Sequence, residues 1–134
     1  VPLHRLFSTR SGEHFYTTKS AELDSAVGVY GFNYETLAAH ILPEQEEETV
    51  PLFRVHRGEK HLYTISAEEK NQYSTGGAVP GIVGYVYATH QTGTFPLYRI
   101  FNPRTSAHLF TTNVDEKNSL LRVGWNDEGI ACFV

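Results

Sequence analysis

The sequence contains a single cysteine, Cys132, among its 134 residues. One cysteine excludes an internal disulfide and a metal cluster held by several thiolates. Cys132 lies in the apolar run that ends the printed chain, so we expect a small buried side chain and not a reactive thiol. No apolar run in the sequence is long enough to predict a helix that spans a membrane.

Basic residues are also in short supply. The chain has 11 Lys and Arg against 15 Asp and Glu, which gives a formal net charge of −4. Nucleic-acid backbones and anionic membranes attract clusters of basic residues, so the composition argues against both as partners. The sequence also lacks a nucleophile elbow, a phosphate-binding loop and the glycine pattern of dinucleotide-binding folds. We therefore expect no catalysis and no cofactor.

What the chain does contain is one pattern repeated three times. A Pro-Leu-x-Arg motif is followed by His, an apolar residue, an aromatic residue and Thr, and then by Glu five positions after the Thr. The motif begins at Pro2, Pro51 and Pro96, the histidines are His14, His61 and His108, and the glutamates are Glu22, Glu69 and Glu116. The interval of 47 residues between successive histidines predicts a single domain, 1–134, of three repeats at about 1–49, 50–94 and 95–134.

Each repeat has the pattern of a strand, a turn, a second strand, a short helix, a loop and a third strand. Ser66 and the pair Thr112-Asn113 are the predicted helix N-cap positions, because acidic residues follow them in the first helical turn. We expect residues 130–134 to pair with residues 2–7 and so remove the exposed sheet edges. The prediction is a mainly β closed domain of three pseudo-threefold ββαβ repeats, β-trefoil-like, with a three-bladed propeller-like ring as the alternative.

The candidate binding segment is Gly-aromatic-Asn-x-Glu, at residues 31–35 and 124–128. The second repeat has a glycine-rich stretch at 76–80 instead. We place the segment in a loop, where its aromatic, amide and carboxylate groups suit the apolar face and hydroxyl rim of a sugar. The predicted sugar-binding residues are Trp125, Asn126, Asp127, Glu128, Phe32, Asn33, Tyr34, Glu35, His14, His61, His108, Arg5, Arg54, Arg99, Tyr16 and Tyr63.

Structural roles for these residues remain open. Trp125 and Phe32 would also serve as core plugs beneath each helix, and the repeated Arg and His would also serve as internal hydrogen-bonding groups. Three histidines on a symmetry axis are a conceivable metal site. One His per repeat equally suits a repeated structural hydrogen bond, so we predict no metal.

The third copy, from Pro96 to Val134, resembles a tandem repeat of unknown function found in secreted fungal and bacterial proteins. The first copy departs from that pattern at His4, and the second lacks the Gly-aromatic-Asn-x-Glu segment. The resemblance implies a stand-alone three-repeat binding module, such as a fungal lectin, with no assigned catalytic residues. It also implies an extracellular or secreted location, with storage in the cytoplasm as the alternative.

Three functions are compatible with these patterns. The first is a lectin with two or three equivalent weak sites for glycans or glycoproteins. The second is a protein-binding module, such as a protease inhibitor or defence protein, because the insert at 44–49 and the glycine-rich stretch at 76–81 break the repeat. The third is a hydrolase with a repeated His/Glu pair, which repetition disfavours because a catalytic acid and base need unlike environments.

Overall fold

The order strand, strand, helix, strand recurs three times along the computed structural model, which describes residues 1–73 and 81–134. The elements are β1 Pro2–Phe7, β2 His14–Thr17, α1 Ser20–Gly28, β3 Asn33–His40, β4 Thr49–Arg57, β5 Lys60–Thr64, α2 Ala67–Tyr73, β6 Gly81–Tyr87, β7 Pro96–Asn102, β8 Ala107–Thr111, α3 Val114–Arg122 and β9 Asn126–Phe133. The prediction of a mainly β protein is confirmed. None of the helices in the described part of the chain has the length and apolar character needed to cross a membrane.

The first strand of each repeat is central in a three-stranded antiparallel sheet. β1 lies between β2 and β3, β4 between β5 and β6, and β7 between β8 and β9. Arg5 of β1 faces Tyr16 on one side and Thr36 on the other, which fixes how the second and third strands align. A register shift next to Arg5 in the pairing with β3 marks a β-bulge, a feature that re-aims side chains.

The predicted pairing of residues 130–134 with residues 2–7 is wrong. Both edges of β1 are already occupied, by β2 and β3, so β9 has no free edge of β1 to join. β9 pairs with β7 along its length and with β6 at Tyr87 and Phe133, which makes one six-stranded sheet from the second and third repeats. A single bridge between Leu42 and Tyr85 connects the first repeat to this sheet.

The core brings together the aromatic residue that precedes Thr in each second strand. Tyr16, Tyr63 and Phe110 pack edge to face, with ring centroids 5.1 to 5.5 Å apart. The Tyr63 hydroxyl accepts from Tyr16 N at 2.8 Å and donates to Tyr16 O, and the Tyr16 hydroxyl bonds the backbone of Phe110 in the same way. A tyrosine hydroxyl therefore links two of the three pairs of neighbouring repeats. The third pair has no such link, because Phe110 has no hydroxyl group that could bond to the backbone of Tyr63.

The helices of the second and third repeats begin where the sequence predicts. Asn113 Oδ1 accepts from the backbone N–H groups of Asp115 and Glu116, and Ser66 Oγ accepts from Glu69 N. Both predicted N-caps are confirmed, and they direct the first helical turn of α2 and α3. That turn carries a glutamate in each repeat, and these glutamates face the neighbouring repeat.

Candidate functional site

A ring of ion pairs joins the repeats. The Arg of each Pro-Leu-x-Arg motif forms a two-pronged contact with the helix glutamate of a neighbouring repeat. The pairs are Arg54 with Glu22, Arg99 with Glu69, and Arg5 with Glu116. The ring is cyclic, because the last pair returns from the third repeat to the first. This arrangement holds the repeats against each other, and clefts lie beside the Arg54–Glu22 and Arg99–Glu69 pairs.

The charges of these pairs are mutually stabilised. The hydrogen bonds from Arg99 and Arg5 lower the pKa of Glu69 and Glu116. Burial alone would raise the pKa of Glu22, but the hydrogen bonds from Arg54 and Thr17 outweigh it and lower the pKa. Burial alone would lower the pKa of the three arginines. The hydrogen bonds to their carboxylate partners outweigh this effect and raise the pKa. All three glutamates are therefore ionised at neutral pH.

A second glutamate completes the set in the first and third repeats. Glu35 Oε1 lies 2.9 Å from Arg5 Nε and 3.3 Å from His14 Nε2. Glu128 Oε1 lies 2.9 Å from Arg99 Nε and 3.0 Å from His108 Nε2. In both repeats one carboxylate oxygen thus lies between an arginine and a histidine. Arg5 Nε donates a hydrogen bond to Glu35, whereas Arg99 Nε makes a close ion-pair contact with Glu128 without hydrogen-bond geometry.

Both bridging histidines are held in the neutral form. Burial and the charge of Arg5 lower the pKa of His14 to about 4, and burial lowers the pKa of His108. A neutral imidazole has one N–H, which the short Nε2 contacts assign to the glutamate side. The Nδ1 atoms of both rings are buried without a hydrogen-bond partner among the described residues.

The second repeat has no such bridging glutamate. Arg54 pairs with Gly81 and Arg5 with Thr36, so the position of Glu35 falls on residue 80, which lies outside the described residues. That residue is Pro80, and residues 74–80 contain no acid. The side chain of Arg54 is 23% exposed, against 8% and 16% for the two equivalent arginines. His61 is 22% exposed, against 7% and 8% for the other two histidines.

His61 instead lies beside a buried acid of the first repeat. Glu13 is 0% exposed and accepts from the backbone N–H groups of His14 at 2.9 Å and His61 at 2.5 Å. Its Oε2 is 3.7 Å from His61 Nδ1. The equivalent residues in the other repeats are Lys60 and Ala107, so this tie is specific to the first and second repeats.

The first cleft lies between the first and second repeats and has a volume of about 370 Å³. One wall is aromatic, and the rest carries two acids, two serine hydroxyls, a guanidinium and an imidazole. Its lining residues are Arg10, Ser11, Phe15, Glu22, Ser25, Ala26, Tyr30, Phe32, Glu59 and His61. Phe15 is central to it: its ring centroid is 5.3 Å from that of His61 and 5.9 Å from that of Phe32, and Arg54 lies over its face.

The second cleft, between the second and third repeats, measures about 210 Å³ and uses the same positions. Six lining residues of the first cleft recur 47 residues later: Arg57, Leu62, Glu69, Gln72, Tyr73 and His108. Arg99 and Glu128 complete the lining. The aromatic wall is reduced, because Leu62 stands where the first cleft has Phe15. Tyr73 replaces Ala26 and takes up space beneath Arg57, whose guanidinium is 4.4 Å from the ring.

Comparison with known families gives a match over residues 2–134 to a model described as a domain of unknown function, DUF5648. The chain belongs to this family. Comparisons with curated proteins and with solved structures gave no match.

The DUF5648 chain brings only part of the predicted sugar-binding set to these clefts. Phe32 and His61 line the first cleft, and Arg99, His108 and Glu128 line the second. Arg5, Glu35 and His14 form the equivalent set between the third and first repeats. Arg54 contacts Phe15 and Glu22 at the back of the first cleft.

The prediction that the Gly-aromatic-Asn-x-Glu segment forms a loop is wrong for most of its residues. Asn33 and Asn126 begin β3 and β9, because they pair with Phe7 and Phe101 at the ends of the first strands. The polar groups of Tyr34 and Asp127 are engaged outside the two clefts. The Tyr34 hydroxyl bonds His4 Nδ1 at 3.0 Å, and Asp127 Oδ1 accepts from Gly129 N at 2.9 Å. Trp125 is half-buried and lines neither of these two clefts.

Two predicted residues have a purely internal role in the DUF5648 chain. Tyr16 is 1% exposed and Tyr63 is 2% exposed, and both hydroxyls are bonded to backbone groups. Neither ring has surface left for a ligand. The predicted sugar-binding role of these two tyrosines is therefore replaced by that of ties between repeats.

Two other features of the DUF5648 chain bear on its chemistry. Within residues 1–73 and 81–134, no group of three or more His, Cys, Asp or Glu is placed to hold a metal ion. Cys132 is buried, and burial raises the pKa of its thiol to about 12. The thiol is therefore protonated at neutral pH and packs in the core as a small apolar group, as its sequence context predicts.

Sequence reasoning missed the partners that build the clefts. The recurrence of Glu22, Glu69 and Glu116 was visible, but their arginine partners lie in a different repeat. Glu13 carried no repeat signal, because its equivalents differ. Arg10, Arg57 and Arg104 recur at the 47-residue interval, and the first two of them line the first and second clefts.

Proposed function

We propose that this DUF5648 domain is a lectin, a carbohydrate-binding protein without catalysis, and that its sites are the clefts between neighbouring repeats. The observation that carries the proposal is the first cleft. There the rings of Phe15, Phe32 and Tyr30 lie next to the carboxylate of Glu22 and the imidazole of His61. A sugar ring has an apolar face that stacks on aromatic rings and hydroxyl groups that hydrogen-bond to such polar groups.

The size of the first cleft supports a single sugar ring as the ligand. Its volume of about 370 Å³ is near the lower end of the range of small-molecule pockets, roughly 300 to 1,000 Å³. Tyr30 is 64% exposed and stands at the rim, where it can cover a bound ring from the solvent side. A shallow site of this kind has an affinity of about 1 mM, equivalent to about −4 kcal/mol.

Several weak sites on one body fit a surface-binding role. The second cleft uses the same positions, and Arg5, Glu116, Glu35 and His14 form the matching set at the third contact. We propose that the three repeats form a ring with pseudo-threefold symmetry, nearer to a three-bladed ring than to a β-trefoil. Two or three sites on such a ring raise avidity toward dense glycans without any new contact, which suits a secreted protein.

The way in which the carboxylates are held supports a function without catalysis. Glu35 and Glu128 have the same partners, an arginine Nε and a histidine Nε2, at nearly the same distances. A glycosidase needs two carboxylates whose environments push their pKa values apart. Equivalent environments support binding rather than hydrolysis.

The test is a glycan array probed with the labelled protein and two variants. Tyr30→Ala removes the rim aromatic of the first cleft, and Val29→Ala is the matched control, because Val29 is 74% exposed and does not line the cleft. We expect a related set of glycans to bind, with Tyr30→Ala about tenfold weaker, or about 1.4 kcal/mol. A blank array, or equal loss in both variants, contradicts the proposal.

Trp125→Ala tests the third contact between repeats. Trp125 stands at the sequence position of Phe32, so we propose that it offers an aromatic surface at the contact between the third and first repeats, as Phe32 does in the first cleft. The variant should lower avidity on a dense glycan surface while leaving binding of a monovalent sugar at the first cleft intact. A protein that unfolds, or that keeps its full avidity, contradicts this assignment.

A further inference from the structure

We propose that the first cleft binds an N-acetylated amino sugar, whose acetamido methyl group enters an apolar notch formed by Phe15 and Ala26. This inference rests on the proposed function and names its ligand class. It is drawn from the charges, the apolar surfaces and the polar groups that line the cleft.

The charges that line the first cleft are already paired. The carboxylate of Glu22 is held by the guanidinium of Arg54, and Glu59 Oε1 lies 3.2 Å from Arg10. A charged ligand group would leave water for a place where each acid already has its opposite charge, which is costly. The lining therefore favours a ligand without charge.

The aromatic residues of the cleft differ in how much surface they expose. Tyr30 is 64% exposed at the rim and Phe32 is half-buried, so both offer ring surface to a sugar. Phe15 is only 9% exposed, and the Arg54 guanidinium covers one face of its ring at 4.8 Å from the ring centre. The open part of Phe15 is thus too small to stack on a pyranose ring, but it suits a methyl group.

Ala26 completes the notch at the bottom of the cleft. It is buried in one apolar cluster with Leu6 and Phe15, and Phe32 packs against the same cluster. The rings of Phe15 and Phe32 are tilted by 57°, with centroids 5.9 Å apart. A flat sugar ring lies against only one of two rings tilted in this way. The other ring is left for an apolar substituent of that sugar.

The second cleft has no such notch. Tyr73 stands there in place of Ala26 and Leu62 in place of Phe15, and the volume is about 210 Å³ against about 370 Å³. The third repeat has Leu120 at the position of Ala26. The first repeat alone thus combines an aromatic floor with a small residue beside it, which makes the notch a property of the first cleft.

Two polar groups stand beside the notch on α1. Glu22, Ser25 and Ala26 are three and four positions apart, so they share one face of the helix, and all three line the cleft. Ser25 is exposed, and Glu22 Oε2 accepts one hydrogen bond among the described residues, from Arg54. An acetamido group offers a carbonyl oxygen to the serine hydroxyl and an N–H to the carboxylate. A methyl group without an amide would use neither.

The experiment is an NMR titration of the intact protein that follows the backbone amide signals of Ser25, Tyr30 and Phe32. The probes are methyl N-acetylglucosaminide and methyl glucoside, which differ only in whether an acetamido group or a hydroxyl is present. Methyl fucoside has a methyl substituent without an amide, and N-methylacetamide has the amide without a sugar. We expect methyl N-acetylglucosaminide to bind about tenfold more tightly than methyl glucoside, because it buries a methyl group and gains a hydrogen bond.

Two variants test the contacts themselves. Ser25→Ala removes a hydroxyl from an exposed helix position, so the preference for the acetamido sugar should fall about fivefold. Ser119→Ala is the matched control, because Ser119 holds the equivalent position in α3 and does not line the first cleft. Ala26→Leu fills the notch with the residue of the third repeat, so the two sugars should then bind equally. Ser25→Ala decides the question if Ala26→Leu does not fold.

The outcomes separate this inference from the proposed function. Equal binding of the two sugars to the unaltered protein overturns the inference and leaves the lectin function standing. Methyl fucoside bound as tightly as methyl N-acetylglucosaminide overturns the amide contact, and N-methylacetamide bound as tightly overturns the sugar assignment. A preference that survives Ser25→Ala, or that falls equally in Ser119→Ala, contradicts the site. No response from any probe overturns the inference, and a blank glycan array in addition overturns the proposed function.

Discussion

The first and second clefts are built from the same positions, 47 residues apart, and they differ in what faces the ligand. Both are closed at the back by an arginine paired with a helix glutamate of the neighbouring repeat. The first has Phe15, Phe32 and His61, whereas the second has Leu62, a bulky Tyr73 and its own Glu128. The chain thus keeps the contacts that join the repeats and varies the surfaces beside them.

This difference means that the sites need not be equivalent. A cleft whose arginine and histidine are already bridged by Glu128 presents a carboxylate to its ligand. The first cleft instead presents the acids Glu22 and Glu59 together with a larger aromatic wall. The expectation of equivalent weak sites is therefore sharpened to a proposal of related sites with different linings.

The largest expected effect is the loss of stability when the arginine of each ion pair is replaced. Arg99→Met removes the arginine partner of both Glu69 and Glu128, whereas Arg54→Met removes that of Glu22 alone. We expect Arg99→Met to lower the free energy of unfolding by about 3 kcal/mol and Arg54→Met by about 2 kcal/mol, allowing for the partial exposure of the carboxylates. Urea unfolding of both variants measures this, and an equal or larger loss for Arg54→Met contradicts the assignment of partners.

The next effect concerns pH and the bridged histidines. Their pKa values are lowered in the folded protein, to about 4 for His14, so between pH 6.5 and about 4 the unfolded chain binds more protons. Stability must then fall as the pH falls through this range, by on the order of 2 kcal/mol for His14. Below it, protonation of Glu22, Glu69 and Glu116, whose pKa values are also lowered, removes further stability.

Urea unfolding at a series of pH values tests this prediction. His14→Gln and His108→Gln should each flatten the decline between pH 6.5 and 4, compared with the unaltered protein at the same ionic strength. An unchanged slope in both variants would mean that other groups cause the acid sensitivity.

The smallest effect concerns the core aromatics. Phe110→Tyr should supply the third hydroxyl tie, to the backbone of Tyr63, and raise the free energy of unfolding by about 1 kcal/mol. Tyr16→Phe is the matched loss, because it deletes an existing tie to Phe110. Thermal unfolding compares the two. Destabilisation by both substitutions would mean that the centre of the aromatic cluster has no room for another hydroxyl.

The sequence repeat predicted the local structure well and the contacts between repeats poorly. Element order and the caps at Ser66 and Asn113 depend on neighbouring residues, so they were visible. The pairing of residues 130–134 with 2–7 was wrong because a repeat does not reveal which strand edge is free. Asn33 and Asn126 were placed in loops because Gly-aromatic-Asn is typical of turns, yet pairing with the end of the first strand overrides that preference.

The site was only partly predictable for the same reason. Phe32, His61 and Glu128 were identified as candidates because they belong to the repeated pattern. Phe15 and Glu22 became binding candidates only when the neighbouring repeat was in place. The difference between the clefts depends on Ala26 and Tyr73, and its meaning emerges only when the geometry of the two clefts is compared.

The cyclic order of the ion pairs has a consequence for chain entropy. Arg54–Glu22 and Arg99–Glu69 close segments of 32 and 30 residues, whereas Arg5–Glu116 closes one of 111. The entropic cost of closing a loop grows with the logarithm of its length. Forming the Arg5–Glu116 contact therefore costs about 1 kcal/mol more than forming either of the others. We expect the seam between the first and third repeats to form last during folding and to open first under stress.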